Sequence, residues 1–327
     1  LAVHLARLGM VPRLWVHDAE LAGLIRSRRE NPWYLPGIAL SPSVTPTGEL
    51  AEALNGADLA ILAVPSHVFR QVLSGASRWI SPRTTLLSAT KGLDGVGPHR
   101  MSEIMAQLVP ESPAAVLSGP TFAREVAEGR PTAAVVAARD PDVSRRLQRR
   151  LSSRGFRLYT NGDVIGVELG GAVKNVMAIA TGLADGLGLG ENARAALITR
   201  GLAEITRLGS ALGAAPRTFA GLAGLGDLVL TCTGTLSRNR NLGLALAAGK
   251  RLEEVQAGSR MVAEGVRTAA SVLTLARRAG VPMPICQEVA AVLFEGKPSR
   301  EALSALLQRE VRAEDESLPD RIQSGRR

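Results

Sequence analysis

Apolar residues in the first half of the chain come in short runs that end in glycine, proline or a polar pair. Leu1, Leu5 and Leu8 fall at i, i+4 and i+7, so the chain opens inside an amphipathic helix closed by Gly9. Pro12–His17 reads as a short strand in which Leu14 and Val16 alternate around Trp15. Further strands are predicted at Asp58–Val64, Thr84–Thr90, Ala114–Ser118, Pro131–Ala138 and Phe156–Thr160, with helices such as Asp18–Arg29 and Val143–Leu151 between some of them. This alternation points to a mostly parallel sheet covered on both faces. After about residue 162 the strand signals fade, and Asn192–Leu212, Arg251–Gln256, Gly265–Ala279 and Ile285–Phe294 read as helices. The expected layout is an α/β domain over residues 1–162, an all-helical domain over residues 163–312, and a polar, flexible tail over residues 313–327.

A helix leading into a strand that ends in His17-Asp18 is the second half of a βαβ unit. In a dinucleotide-binding domain the turn before that helix carries a glycine fingerprint that seats a pyrophosphate on the helix N-terminus. No such turn stands before Leu1. The pattern predicts that roughly 20 residues, one strand and one loop, have been lost from the start. A sheet without that strand would keep unpaired backbone groups and be less stable than its parent. The alternatives are a protein that begins with a helix and an inactive fragment.

With 327 residues, 46% hydrophobic and 21% charged, the chain suits two domains with a sizeable core, and wholesale disorder is excluded. Aromatics are only 3%, so packing rests on Ala, Val, Leu and Gly. Two cysteines, Cys232 and Cys286, make neither a disulfide framework nor a CxxC zinc site, and no His follows His99. No metal site is expected. The most apolar stretch, Leu169–Gly190, is interrupted by Lys174, Asn175 and Asp185, and no unbroken run reaches the roughly 18–20 residues a membrane span needs. A reduced, soluble, cytoplasmic protein without stable membrane insertion is expected.

The net charge of +9 comes from Arg: only Lys91, Lys174, Lys250 and Lys297 are lysines. A nucleic-acid binder is one reading, but three Trp and two Tyr offer little to stack on bases. A general replacement of Lys by Arg is the plainer reading, and no nucleic-acid partner is expected. Where Lys persists, its chemistry is then required rather than its charge alone.

Three clusters could carry chemistry. Lys91-Gly92 lies at a predicted strand end, as do His17, Pro65-Ser66-His67 and Gly119-Pro120-Thr121, and ligands bind at the carboxyl ends of strands in such sheets. Lys174 and Asn175 follow Gly170-Gly171-Ala172-Val173 on an apolar helix. A lysine buried there must find a partner or lose its proton, and desolvation draws its pKa towards neutrality; the plainer alternative is a lysine snorkelling to solvent. Gly224-Leu225-Gly226-Asp227 places a carboxylate on a tight backbone, and Ser237-Arg238-Asn239 offers a hydroxyl, a guanidinium and an amide, a donor set suited to phosphate oxygens. An ordinary loop with a solvated Arg would show the same residues.

Together these segments resemble the bacterial NAD(P)-dependent glycerol-3-phosphate dehydrogenase family. The resemblance is carried by VPSHVF (Val64–Phe69), ATKGL (Ala89–Leu93), SGPTFAREVAEGRPTA (Ser118–Ala133), GVELGGAVKNVMAI (Gly166–Ile179), NARAALITRGLAE (Asn192–Glu204), AGLGDLVLTCTGTLSRNR (Ala223–Arg240) and VAEG (Val262–Gly265). It runs from residue 1 to about residue 312, without the family's N-terminal glycine loop. The fold it implies is a Rossmann dinucleotide-binding domain followed by an all-α domain of the 6-phosphogluconate-dehydrogenase C-terminal type.

The resemblance also implies roles. Lys174 corresponds to the catalytic proton donor and acceptor at the substrate C2 oxygen. Lys91 corresponds to a lysine that contacts both cofactor and substrate. Gly119, Thr121, Asp227, Ser237, Arg238 and Asn239 match substrate-contacting positions, Asn175 is a further substrate contact, and Arg238 also nears the cofactor. His17, Ala123, Val262 and Glu264 match cofactor-binding positions. The implied reaction is reduction of dihydroxyacetone phosphate to sn-glycerol 3-phosphate for glycerophospholipid biosynthesis, by a homodimer. Asp18 after His17 favours a free ribose 2′-hydroxyl and Arg13 a 2′-phosphate, so NAD and NADP both stay open, with the biosynthetic role inclining towards NADP. A related dehydrogenase acting on another small acidic substrate is the runner-up.

Overall fold

The computed structural model describes residues 1–95, 97–258 and 263–308. Among them are the strands β1 (Arg13–Trp15), β2 (Glu30–Asn31), β3 (Leu35–Ala39), β4 (Thr45–Thr47), β5 (Leu59–Leu62), β6 (Thr85–Ser88), β7 (Ala114–Ser118), β8 (Thr132–Ala137) and β9 (Phe156–Asn161). The first seven helices fall between or around them: α1 (Ala2–Arg7), α2 (Ala19–Arg28), α3 (Leu50–Leu54), α4 (Ser66–Ala76), α5 (Met101–Leu108), α6 (Ala123–Glu128) and α7 (Pro141–Leu151). Each strand expected from the sequence is present, with ends within two residues of those expected.

Strands β5 to β9 form one sheet in that spatial order, parallel throughout except for the antiparallel β7–β8 pair. Their side chains alternate between two apolar layers. Leu86, Val116 and Val135 pack with Phe69 and Leu73 of α4 and Met101, Ile104 and Met105 of α5. Their neighbours Leu87, Ala115, Leu117, Ala134 and Val136 pack with Val143, Leu147 and Leu151 of α7 on the other face. The two-residue period of a strand, buried on both sides, explains why these segments read as continuous apolar runs.

The expectation of a single sheet is corrected in one respect. β1 pairs in parallel with β4, Arg13 to Trp15 lying opposite Thr45 to Thr47, and this pair is not hydrogen-bonded to the larger sheet. It has its own small core of Val3, Val16, Leu21, Ile25, Leu40 and Val44. β2 and β3 form a separate antiparallel pair. The sequence pattern did not show β2, β3 or β4, because they are short and β3 and β4 carry Pro36, Gly37 and Pro46, residues that weaken any strand signal.

From Val164 onward the described residues are helical: α8 (Val164–Gly186), α9 (Gly190–Ala211), α10 (Pro216–Phe219), α11 (Asp227–Thr233), α12 (Arg238–Ala247), α13 (Leu252–Ala257), α14 (Glu264–Ala279), α15 (Pro284–Phe294) and α16 (Ser299–Leu307). The expected tail lies outside the described residues. By length and composition α8 could cross a bilayer, but it is enclosed by the other helices. Asp163 fixes where it starts: one carboxylate oxygen caps the Gly166 N–H at 2.8 Å, and the other accepts from Ala215 N and Thr218 Oγ1. Val173, Val176, Met177, Ile179 and Leu183 of α8 anchor a core shared with α9, α11, α12, α14 and α15. A helix apolar on all sides is stable only in such a position.

Candidate active site

Lys91 follows the carboxyl end of β6, and Gly119 follows the carboxyl end of β7. Gly119 has φ +128°, and a Cβ there would stand 3.0 Å from Ala134 Cα, so only glycine makes this turn. The turn lets the Gly119 carbonyl accept from Lys91 Nζ at 2.7 Å, while Thr121 Oγ1 accepts from the same ammonium at 3.1 Å. Asp227 enters from the helical half. It follows a π-helical turn, Leu222–Gly226, in which the Gly226 N–H bonds to the Gly221 carbonyl five residues back. Such a turn re-aims the residue after it.

Asp227 joins the two lysines. Its Oδ2 accepts from Lys91 Nζ at 2.7 Å and its Oδ1 from Lys174 Nζ at 2.5 Å. Lys174 also donates to Thr231 Oγ1 at 2.8 Å, and that hydroxyl donates to the Asp227 carbonyl one turn earlier on α11. Lys174 is 5% exposed and Asp227 1%. Burial disfavours the charged ammonium and brings the Lys174 pKa down from 10.5 to about 7; the Asp227 carboxylate opposes that fall, and the nearby Lys91 charge adds to it. A lysine near neutrality, held by a carboxylate, is equipped to give or take a proton.

A second group lies at the start of α12. Ser237 caps that helix, its hydroxyl accepting from Arg240 N at 3.3 Å. Arg240 grips Asp185 of α8 through Nε at 2.9 Å and a terminal nitrogen at 2.7 Å, which fixes α12 against α8. Arg238 is exposed and makes no hydrogen bond or ion pair with the described residues. Asn239 is buried, donating to Asn175 Oδ1 at 2.9 Å and accepting from Gly265 N at 2.9 Å.

A third group links the two halves. Glu264, at the start of α14, accepts from Ser66 N at 3.1 Å and Ser66 Oγ at 2.6 Å, at the start of α4. Nearby, two buried polar atoms, His67 Nδ1 in the first turn of α4 and Ser118 Oγ at the end of β7, have no hydrogen-bond partner among the described residues. Burial, helped by Arg267, lowers the His67 pKa against the opposing Glu264 charge. Ala123 is exposed in the first turn of α6. His17 is exposed, its ring 5.8 Å from that of Trp15, and no described contact ties it to the lysine pair. Val262 lies outside the described residues. Polar atoms awaiting partners at the carboxyl edge of a mostly parallel sheet, beside a shared lysine pair, fit a nicotinamide dinucleotide. Lys91, His67, Ser118 and the first turn of α6 would hold it.

Residues 1–144 match the family described as NAD-dependent glycerol-3-phosphate dehydrogenase N-terminus, and residues 163–304 its C-terminus. The chain belongs to the NAD-dependent glycerol-3-phosphate dehydrogenase family. It is 51% identical over 317 residues to the glycerol-3-phosphate dehydrogenase [NAD(P)+] of Geobacter sulfurreducens, covering 96% of this chain and 95% of that one. The enzyme of the same name from Streptomyces griseus is 50% identical over 315 residues, covering 96% and 94%. The crystal structure of the Coxiella burnetii glycerol-3-phosphate dehydrogenase superposes with a TM-score of 0.92 at 41% identity, over 94% of this chain and 95% of that one.

In this glycerol-3-phosphate dehydrogenase fold, Lys91, Gly119, Thr121, Lys174 and Asp227 meet in one hydrogen-bonded cluster, and Asn175 and Asn239 meet in another. Sequence reasoning placed Ser66 at a ligand-binding strand end without its Glu264 contact, and it missed Thr231 and Gly265. Thr231 was within reach, because it stands four residues after Asp227, one helical turn on the same face. Ser66 and Gly265 carry no local signal of their contacts.

Proposed function

We propose that this chain reduces dihydroxyacetone phosphate to sn-glycerol 3-phosphate with NADPH or NADH, and that Lys174 is the proton donor. The observation that carries this reading is the buried Asp227 carboxylate shared between Lys174 and Lys91 at the carboxyl edge of the sheet. When bound, the reduced nicotinamide supplies a hydride to the ketone carbon. Negative charge then gathers on the ketone oxygen, where Lys174 Nζ stabilises it and delivers a proton. Asp227 keeps that ammonium charged and aimed, and Thr231 fixes its second direction. Lys91, held by Gly119, Thr121 and Asp227, adds positive charge beside it. Arg238, exposed at the first turn of α12, is free to pair with the phosphate, assisted by the helix N-terminus that Ser237 caps. Fixing the phosphate orients the ketone against Lys174.

In the same reading residues 1–162 bind the dinucleotide and residues 163–312 the substrate, and His17, Ala123, Val262 and Glu264 belong to the cofactor side. The product feeds glycerophospholipid synthesis, and the enzyme works as a cytoplasmic homodimer. The test is consumption of reduced nicotinamide with dihydroxyacetone phosphate, NADPH and NADH being supplied separately. Turnover that depends on this ketone and on Lys174 supports the reading. Turnover of a different small acidic ketone in its place would overturn the substrate.

A further inference from the structure

Gly170 and Gly171 bring α8 against two neighbours at once. A Cβ on Gly170 would stand 2.5 Å from Ala223 O, 3.1 Å from Ala223 C and 3.3 Å from Gly224 Cα, all in the π-helical turn that leads into Asp227. That obstacle is main chain, which no change of rotamer clears. A Cβ on Gly171 would collide with Ser118 Oγ, and it would stand 3.5 Å from Ser118 Cβ and 3.6 Å from Lys91 Cγ. Ser118 ends β7, is 4% exposed, and its hydroxyl has no partner among the described residues. A buried hydroxyl left free by the protein marks this end of β7 as lining the ligand site rather than the core. At Gly171, therefore, α8 closes on the wall of the site itself.

Lys174 lies four residues after Gly170 and three after Gly171, one turn further along the same face of α8. Gly170 meets the turn that delivers Asp227. Gly171 meets the strand end that holds Lys91, because Ser118 precedes Gly119, whose carbonyl accepts from Lys91 Nζ at 2.7 Å. The two contacts together set how far Lys174 stands from both charged neighbours. Lys174 Nζ reaches Asp227 Oδ1 at 2.5 Å, and Lys91 reaches the other oxygen at 2.7 Å. A methyl group on Gly170 would lift α8 by roughly 1 Å before ordinary contact with Ala223 is restored. A lift of that size takes a hydrogen bond to its limit.

We infer that Gly170 and Gly171 are positioning residues: their bare faces seat α8 between the π-helical turn and the end of β7, and this seat sets the spacing of Lys91, Asp227 and Lys174. The inference deepens the proposed reduction and rests on it for the role of Lys174. Both glycines act through the lysine one turn on, not on the reactants. The titratable groups around Lys174 Nζ are Asp227 and Cys232 of α11 and Lys91 after β6. Burial pushes the Cys232 thiol up to about 12, so it stays neutral. The seat thus governs the two charges that matter and the exclusion of water from Lys174.

The test is the titration of Lys174 in the free chain, read by NMR of lysine labelled with carbon-13 at Cε. The chain has only four lysines, and Lys174→Arg identifies the resonance. The wild-type midpoint should lie at about 7. Gly170→Ala should move it up by about one pH unit or more, because burial is the largest influence on Lys174 and a lifted helix admits water. Alanine is the better helix former, so the change does not weaken α8 itself. A midpoint that stays or falls in Gly170→Ala would overturn the inference, whatever the melting temperature does, since the glycine would then be structural only. Gly171→Ala should also raise the midpoint, and adding Ser118→Ala should bring it back, because the remaining neighbours of a methyl group there, at 3.5 and 3.6 Å, are ordinary contacts. If Gly170→Ala does not fold, this pair decides alone, and a midpoint unmoved by Gly171→Ala or not brought back by Ser118→Ala would overturn the inference. A wild-type midpoint near 10.5 would overturn it as well, because Lys174 would then be hydrated without any substitution. None of these readings needs turnover. A wild-type chain inactive with dihydroxyacetone phosphate, but with midpoints that move as described, would overturn the proposed substrate and leave the positioning supported.

Discussion

Lys174 Nζ lies 2.5 Å from Asp227 Oδ1 at the centre of the protein, and the other oxygen of that carboxylate binds Lys91 at 2.7 Å. One acid therefore serves two cations. This sets the balance of Lys174: burial lowers its pKa, Asp227 raises it and Lys91 lowers it, leaving it at about 7. Without the carboxylate the ammonium would lose its proton still more readily.

Ketone reduction needs Lys174 protonated, and alcohol oxidation needs it neutral. With a pKa of about 7 in the free enzyme, kcat/KM for reduction should fall as pH rises through that value, while kcat/KM for oxidation should rise over the same range. Asp227→Asn removes the influence that holds the pKa up, so both limbs should move to lower pH. Steady-state rates across a pH series check this, and limbs that stay in place would remove Asp227 as the tuning group.

Lys174→Ala should abolish turnover, by about a thousand-fold or more, since both the charge at the ketone oxygen and the proton are lost. The fold should survive, because Asp227 keeps its ion pair with Lys91. Nicotinamide fluorescence titration should show cofactor affinity little changed. Loss of cofactor binding together with turnover would point to a structural lysine instead.

Arg238→Ala should raise KM for dihydroxyacetone phosphate by about ten- to a hundred-fold, the worth of a charge-assisted hydrogen bond to phosphate. Its effect on kcat should be smaller. Thermal stability should not change, since Arg238 is exposed and pairs with no described residue. An unaltered KM would take it out of the phosphate site.

Glu168, six residues before Lys174 on α8, is buried and clamps the start of α5. It accepts from Ser102 N at 2.7 Å, Ser102 Oγ at 2.5 Å and Arg100 at 2.9 Å. Burial raises its pKa against the opposing pull of Arg100 and Ser102. Glu168→Ala strands these donors and should cost about 3 kcal/mol of stability, read by urea unfolding. A change within ~0.5 kcal/mol would show that water replaces the carboxylate there.

Much of this architecture could be read from the chain. The main strands were visible because a strand buried on both faces carries a nearly continuous apolar run, as in Ala114–Leu117 of β7. The helical half was visible because α9, α14 and α15 repeat apolar residues with the helical period. The motifs and the scarcity of lysine singled out Lys91, Lys174 and Asp227, and the family resemblance supplied their roles. β2 escaped notice because two residues hold no pattern, and β3 and β4 because proline or glycine interrupts them.

Which groups actually meet was decided by tertiary structure alone. Lys91 and Asp227 are 136 residues apart, Lys174 and Asp227 are 53, and Ser66 and Glu264 are 198. Periodicity tells which face of an element is buried, a property of neighbours along the chain. It does not tell which distant side chain arrives at that face, because this depends on how α8 packs against the π-helical turn, α12 and α14. The pKa of Lys174 and the orientation of Asn175 both follow from those arrivals. They are set by the desolvation and directed hydrogen bonds that packing creates, and neither has a counterpart in local sequence.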